Sequence, residues 1–252
     1  MKKTDVLVIG GSAAGMVAAL TGKSSWSEKN FILAKKQKDV MVPCGIPYIF
    51  GTLEKTGQNI MPVDNMLEKA GIESIVDEAV NIDTANKTVD FASGETIQYE
   101  KLVLATGSIP VKPKWLVGGD KENVFVIPKD TLYLDAMKNS LASLKRIVVI
   151  GAGFIGVEFS DELVKRGHEV VLVEKFPEIL SLAFDVELSS RIEELLKTRG
   201  VKIITGNGIK EIKGDTKVEK VVLENGEEFA TDAVLLSVGY KPNVELARKS
   251  GI

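Results

Sequence analysis

Residues 146–156, Arg-Ile-Val-Val-Ile-Gly-Ala-Gly-Phe-Ile-Gly, constrain the fold more than any other stretch of the chain. Four β-branched residues in succession read as a strand buried on both faces, and Gly151, Gly153 and Gly156 follow with the spacing G-x-G-x-x-G. In such a turn the first glycine makes the bend, the second lets a pyrophosphate approach the backbone, and the third packs helix on strand. The helix that starts there offers free N–H groups and a partial positive charge to phosphates. A second strand, 168–174, ends in Glu174, 23 residues beyond Gly151, where an acid can bind the hydroxyls of an adenosine ribose.

The chain contains this plan twice. Residues 5–15, Asp-Val-Leu-Val-Ile-Gly-Gly-Ser-Ala-Ala-Gly, repeat the strand, glycine turn and small-residue helix start, and Asn30–Ala34 supplies the second strand. Further on, 93–110 aligns with 225–242 at a constant offset of 132, each with a hairpin signal (Ser93-Gly94, Asn225-Gly226), an apolar strand and a Gly-x-x-Pro exit. Strands alternating with helices specify an α/β fold of two Rossmann-like domains with parallel sheets. Residues 72–99 and about 201–230 are expected to form small antiparallel β-meanders. The Gly- and Pro-rich stretch 107–124 suits a domain crossing. A helix is expected over 185–199, with Leu188, Ile192, Leu195 and Leu196 on one face. The expected domains are 1–109, 110–240, and 241–252 as the start of a return to the first. The first turn is less orthodox than the second: Ser12 replaces the central glycine, and Ala34 stands where the ribose-binding acid is expected.

Composition narrows the function. The 32 Lys and Arg against 35 Asp and Glu leave a net charge of -3, which gives no electrostatic case for nucleic acid or an anionic membrane. No apolar run reaches the roughly 18 residues of a membrane span, no leader pattern precedes the first strand, and the chain reads as cytoplasmic. Nothing in the pattern points to a bound metal. The single cysteine, Cys44, excludes an internal disulfide or a CxxC pair. It sits in a stiff Pro43-Cys44-Gly45 turn, read as opening a short helix whose backbone N–H groups favour the thiolate. His168 reads as structural, and Trp26 and Trp115 as ordinary packing or surface residues.

Two dinucleotide turns, Leu-Val-Leu-Ala-Thr-Gly-Ser-Ile-Pro (102–110) closing the first copy, and one cysteine in Pro-Cys-Gly-Ile-Pro-Tyr (43–48) together resemble the pyridine nucleotide–disulfide oxidoreductases, in particular their single-cysteine branch. That branch includes NADH oxidases, NADH peroxidases, coenzyme A-disulfide reductases and polysulfide reductases. The resemblance implies FAD on the first copy, lined by Gly10, Gly11, Ser12, Gly15, Lys35, Pro43, Val80, Thr106 and Gly107. It implies NADH on the second, served by Gly151, Gly153, Phe154, Ile155, Gly156, Glu158, Glu174, Lys175 and Gly239, with Glu158 near the nicotinamide amide. Cys44 would be the catalytic residue, facing the flavin. The implied enzyme is an FAD-dependent oxidoreductase that passes electrons from NADH through FAD and Cys44 to a small-molecule acceptor: a disulfide, polysulfide, peroxide or oxygen. Members of the family continue beyond the equivalent of Ile252 with a closing flavin segment and a dimerisation domain. The chain is therefore expected to be an incomplete form of a homodimeric enzyme. The alternative is a non-catalytic NAD(H)-binding module with weak or no flavin.

Overall fold

The apolar run Lys2–Ile9 forms strand β1, and α1 (Ala13–Ser25) carries the chain back so that β2 (Phe31–Lys35) pairs parallel to it, Ile9 opposite Ala34. The computed structural model describes residues 1–252. Two units emerge, the first comprising 1–42, 60–109 and 242–252, the second 43–59 and 110–241.

In the first unit β3 (Val40–Met41) and β4 (Ile60–Met61) form a short antiparallel pair, and α2 (Val63–Lys69) leads to β5 (Glu73–Val76), parallel to β2. Strands β6 (Ala79–Asp83), β7 (Thr88–Phe91) and β8 (Thr96–Leu104) then run antiparallel, and β8 also pairs parallel with β1 along its length. The result is one six-stranded sheet of order β5-β2-β1-β8-β7-β6. The antiparallel meander expected over 72–99 forms as β6-β7-β8 within this same sheet, and only its first part, β5, departs by joining the edge of the parallel sheet. Alternation along β1 sends Leu7 and Ile9 to one face, with Ile82, Val89 and Phe91, and Val8 to the other, with Leu33 and Leu67.

Strand β9 (Ser108–Pro110) leaves the first unit. In the second, β10 (Val124–Val126), α3 (Thr131–Leu141), β11 (Arg146–Ile150), α4 (Phe154–Lys165), β12 (Glu169–Val173), α5 (Val186–Thr198) and β13 (Lys202–Ile204) follow in turn. Three antiparallel strands, β14 (Ile209–Lys213), β15 (Lys220–Leu223) and β16 (Glu228–Ala230), form their own sheet before β17 (Ala233–Leu236) completes a parallel sheet of order β10-β17-β11-β12-β13. Here too the expected meander begins later than 201, because Lys202–Ile204 joins the parallel sheet. Strand β18 (Tyr240–Pro242) leads back to α6 (Glu245–Lys249) of the first unit, where Leu246 packs on the β6–β8 core.

The chain changes unit at 109/110, within the stretch read as a crossing, and from Pro110 on that stretch belongs to the second unit, with Leu116 in its core beside Ile212. Helix α5 forms where expected, its start capped by the Asp185 carboxylate accepting the Leu188 N–H (3.0 Å), but of the four apolar residues assigned to one face only Leu196 is buried; Leu188 and Leu195 stay exposed.

Candidate functional site: two glycine turns and the cysteine segment

The second turn lies between β11 and α4. A Cβ on Gly156 would stand 1.9 Å from the Gly151 carbonyl oxygen, so this position tolerates glycine alone. Gly151 has φ +96, and the Ser237 hydroxyl, at the end of β17, bridges the Ile150 and Gly151 carbonyls at 2.8 and 2.7 Å. Gly153, at the N-cap of α4, faces open space where a side chain would otherwise intrude. Glu174 is buried, and its carboxylate accepts the Ala152 N–H at 2.6 Å and the Phe176 N–H at 3.0 Å. Those two bonds aim it along the turn and leave lone pairs for ribose hydroxyls.

Around this turn is a cleft of about 710 Å³, a size that suits a small-molecule ligand. Gly151, Gly153, Phe154, Glu174, Lys175 and Gly239 line it. Ile155, Gly156 and Glu158 do not: Gly156 is buried under the turn, and Glu158 lies further along α4, where burial pushes its carboxyl up and the charge of Glu162 adds to the effect. The cleft also contains Trp115, Leu180, Asn207, Glu224 and Ser237, which sequence reasoning missed. Ser237 was within reach, because the 132-residue repeat sets it opposite Ala105. The others arrive from loops with no local signature. Trp115, read as ordinary packing or surface, is largely exposed and forms part of the cleft wall. His168 places Nδ1 3.0 Å from the Leu144 carbonyl, an anchor for the loop before β12.

The first turn repeats this frame. A Cβ on Gly15 would approach the Gly10 carbonyl to 1.8 Å, and Ala105 N–H donates to the Ile9 carbonyl at 2.8 Å as Ser237 N–H does to Ile150. Ser12 caps α1 without a side-chain bond to it. Thr106 and Gly107 stand beside the turn: the Thr106 hydroxyl donates to the Asn243 carbonyl at 2.6 Å, and Asn243 N–H to that of Gly107 at 2.9 Å. Val80 lies at the irregular start of β6 and is exposed.

Register corrects one residue of the sequence reading. Gly10 N–H donates to the Ala34 carbonyl at 2.8 Å, just as Gly151 N–H donates to Val173. The counterpart of Glu174 is therefore Lys35, not Ala34. Lys35 is buried; its stem passes close under Gly11, where a Cβ would stand 2.8 Å from the Lys35 Cβ. Its ammonium donates to the Asp64 carboxylate and to the Lys38 carbonyl at 2.8 and 2.7 Å. The lysine beside Asp64 holds that carboxyl below the usual range.

Cys44 is exposed, in a single 3₁₀ turn, Pro43–Gly45, followed by another at Pro47–Phe50. Both are too short to build up a macrodipole, so the expected helix opening is corrected. Pro43 and Cys44, placed by sequence in the first domain, belong with the second unit. There Phe50 meets Phe159 of α4 with ring centroids 5.0 Å apart.

Two pyrophosphate-type turns on duplicated parallel sheets define a protein built around two dinucleotides. The chain belongs to the pyridine nucleotide-disulphide oxidoreductases, whose family model matches residues 4–252. An NAD(P)H sulfur oxidoreductase (CoA-dependent) of Pyrococcus abyssi is 34% identical, matching 100% of this chain and 57% of its own length. An NADH oxidase of Methanocaldococcus jannaschii is 31% identical, over 97% of this chain and 56% of its own. Among solved structures, a ferredoxin reductase from Rhodopseudomonas palustris superimposes with a TM-score of 0.90 at 27% identity, covering 98% of this chain and 62% of that one. An NAD-dependent persulfide reductase from A. fulgidus gives 0.88 at 28%, covering 98% and 48%. The chain thus spans a little over half the length of the curated relatives it matches. The cofactors of the family are FAD and NADH. The second turn, with an open Gly153 and an oriented carboxylate, fits NADH; the first fits FAD at its glycines and departs from it at Lys35.

Proposed function

We propose that the protein takes electrons from NADH and delivers them, through FAD and Cys44, to a small acceptor. The observation that carries this reading is the presence of two glycine turns, complete at 151–156 and with Ser12 in the central place at 10–15, together with an exposed thiol on the nucleotide-binding unit. Gly151, Gly153 and the start of α4 hold the pyrophosphate of NADH, Glu174 accepts its ribose hydroxyls, and Glu158 serves the nicotinamide end. Gly10, Ser12, Gly15, Thr106 and Gly107 hold FAD, which when bound supplies a two-electron carrier between nucleotide and sulfur. With a disulfide acceptor, the Cys44 thiolate attacks one sulfur and expels the other as a thiolate. Two electrons and a proton from NADH, with one further proton, then leave Cys44 free, NAD⁺, and two thiols in all.

The test is Cys44→Ser in flavin-loaded protein. Reduction of disulfide and polysulfide is expected to disappear, while NADH-driven flavin reduction persists, since hydride transfer needs no sulfur. Full activity toward every sulfur acceptor would defeat the reading. One observation, Lys35 in the place of an acid, favours a second reading, an NAD(H)-binding module with little flavin. A colourless purified protein that binds NADH would support that module instead.

A further inference from the structure

We propose that Glu162 is a positioning residue for Cys44, fastening the cysteine segment to the helix that begins at the second glycine turn. The inference rests on the redox reading of Cys44 given above. Glu162 lies on the buried face of α4, with 2% of its surface exposed. One carboxylate oxygen accepts both the Thr52 N–H at 2.6 Å and the Thr52 hydroxyl at 2.8 Å; the other accepts the Lys165 ammonium at 2.6 Å. The neighbouring residue has to be Gly51, because a Cβ there would stand 2.3 Å from that same carboxylate oxygen and 2.4 Å from the Glu162 carbonyl oxygen.

From Thr52 the restraint passes back to Cys44 through consecutive turn bonds. Leu53 and Gly51 N–H both donate to the Tyr48 carbonyl, Ile49 N–H to Ile46, and Ile46 N–H to Pro43. The far end of the segment closes on Cys44 as well: a Cβ on Gly45 would stand 1.9 Å from the Asn59 side-chain oxygen. Lys138 and Arg166 also reach the Leu53 carbonyl, at 3.2 and 3.0 Å, but these donors lie at or near the surface, where charged contacts contribute little. Glu162 is the buried member of the set, and without it the exposed Thr52 loses both bonds that tie it to α4. A buried carboxylate on a face otherwise lined by Phe159 and Leu163 is costly unless it serves such a purpose. Through it, the helix that receives the nucleotide phosphates at one end fixes the thiol segment along its flank.

The experiment uses the 252-residue chain. Glu162→Ala, Glu162→Gln and Thr52→Val are compared by amide exchange, with NADH titration confirming that the second turn is intact. Exchange at Ile46, Ile49, Gly51 and Leu53 is expected to rise about tenfold or more in Glu162→Ala. Glu162→Gln, whose amide oxygen can still accept from Thr52 N–H, should recover part of the protection, and Thr52→Val should show a smaller rise. In flavin-loaded protein, Glu162→Ala should lower kcat with sulfur acceptors while leaving KM for NADH unchanged, a split that a general loss of stability would not produce. Unchanged exchange and unchanged kcat in folded Glu162→Ala would overturn the proposal. Should that variant fail to fold, Thr52→Val decides in the same way. Cys44→Ser separates the two claims: if it retains full sulfur-acceptor activity, the redox reading fails whatever the exchange data say.

Discussion

The second glycine turn ends its following strand in Glu174, whose carboxylate takes a backbone N–H of the turn; the first puts Lys35 at the same register and turns its charge away onto Asp64. Backbone geometry, glycine contacts and the bonds to the neighbouring strand are otherwise reproduced between the two. Duplication of a dinucleotide fold therefore preserves the cradle for phosphate, which is made of backbone, more faithfully than the choice of ribose, which is made by one side chain at a strand end. Gly11 shows how closely that side chain is integrated: the lysine stem occupies the space in which a larger residue would need its Cβ.

The sharpest way to break the comparison is to fill one cradle and watch the other. Gly156→Val places side-chain atoms on the Gly151 carbonyl, and NADH affinity measured by titration is expected to fall by roughly a hundredfold or more, with flavin retention unchanged. Retained NADH affinity would show that the second turn is not the nicotinamide site. Next in size is Glu174→Ala, which should weaken NADH by about ten- to a hundredfold through loss of charged hydrogen bonds and narrow its advantage over NADPH. Equal affinities for the two nucleotides before mutation would already refute this role. The reciprocal change, Lys35→Glu with Asp64→Asn to avoid setting two like charges side by side, gives the first turn its missing acid. Flavin lost on dialysis by the parent should then be retained about tenfold more tightly. No gain in affinity would mean that the ribose is held elsewhere.

The smallest effect concerns the opposite ends of the same strands. In the second unit Arg146 forms a 2.6 Å ion pair with Asp232, which also accepts the Arg146 N–H, and this holds the Asp232 carboxyl down at about 2. A depressed carboxylate stabilises the fold above its ordinary value of 3.8, and that stabilisation fades as pH falls toward about 2. Asp232→Asn should cost about 1–2 kcal/mol at neutral pH and remove this carboxylate's share of the acid sensitivity of unfolding across that window. In the first unit the equivalent position on β1 is Asp5, which accepts the Asn30 N–H at 2.7 Å but meets only the Lys29 ammonium, at 3.4 Å, in place of a guanidinium. Its removal should matter less.

Much of this was legible in sequence because it is local. The G-x-G-x-x-G of 151–156, its variant with Ser12 at 10–15, apolar runs of strand length and the 132-residue repeat identify both turns and both parallel sheets. Lys35 was misjudged as standing one place beyond the critical position, since a one-residue difference in register cannot be read without the hydrogen bond from Gly10 to Ala34. The allegiance of residues 43–59 was equally hidden. It depends on Phe159 and Glu162, more than a hundred residues away in the chain, and no periodicity within the segment reports them.

The interleaving of the two units also sets an order of assembly. The chain passes between them at 42/43, 59/60, 109/110 and 241/242, so neither is one continuous stretch. As the polypeptide leaves the ribosome, the second unit has all its residues once Lys241 is made. The first, although it begins the chain, still lacks Asn243 to seal the Thr106–Gly107 loop and Leu246 to cover Val89 and Phe91. Synthesis from the N-terminus ordinarily lets the leading domain finish first. Here the leading half has to wait for residues 242–252 before this part of its apolar face is covered.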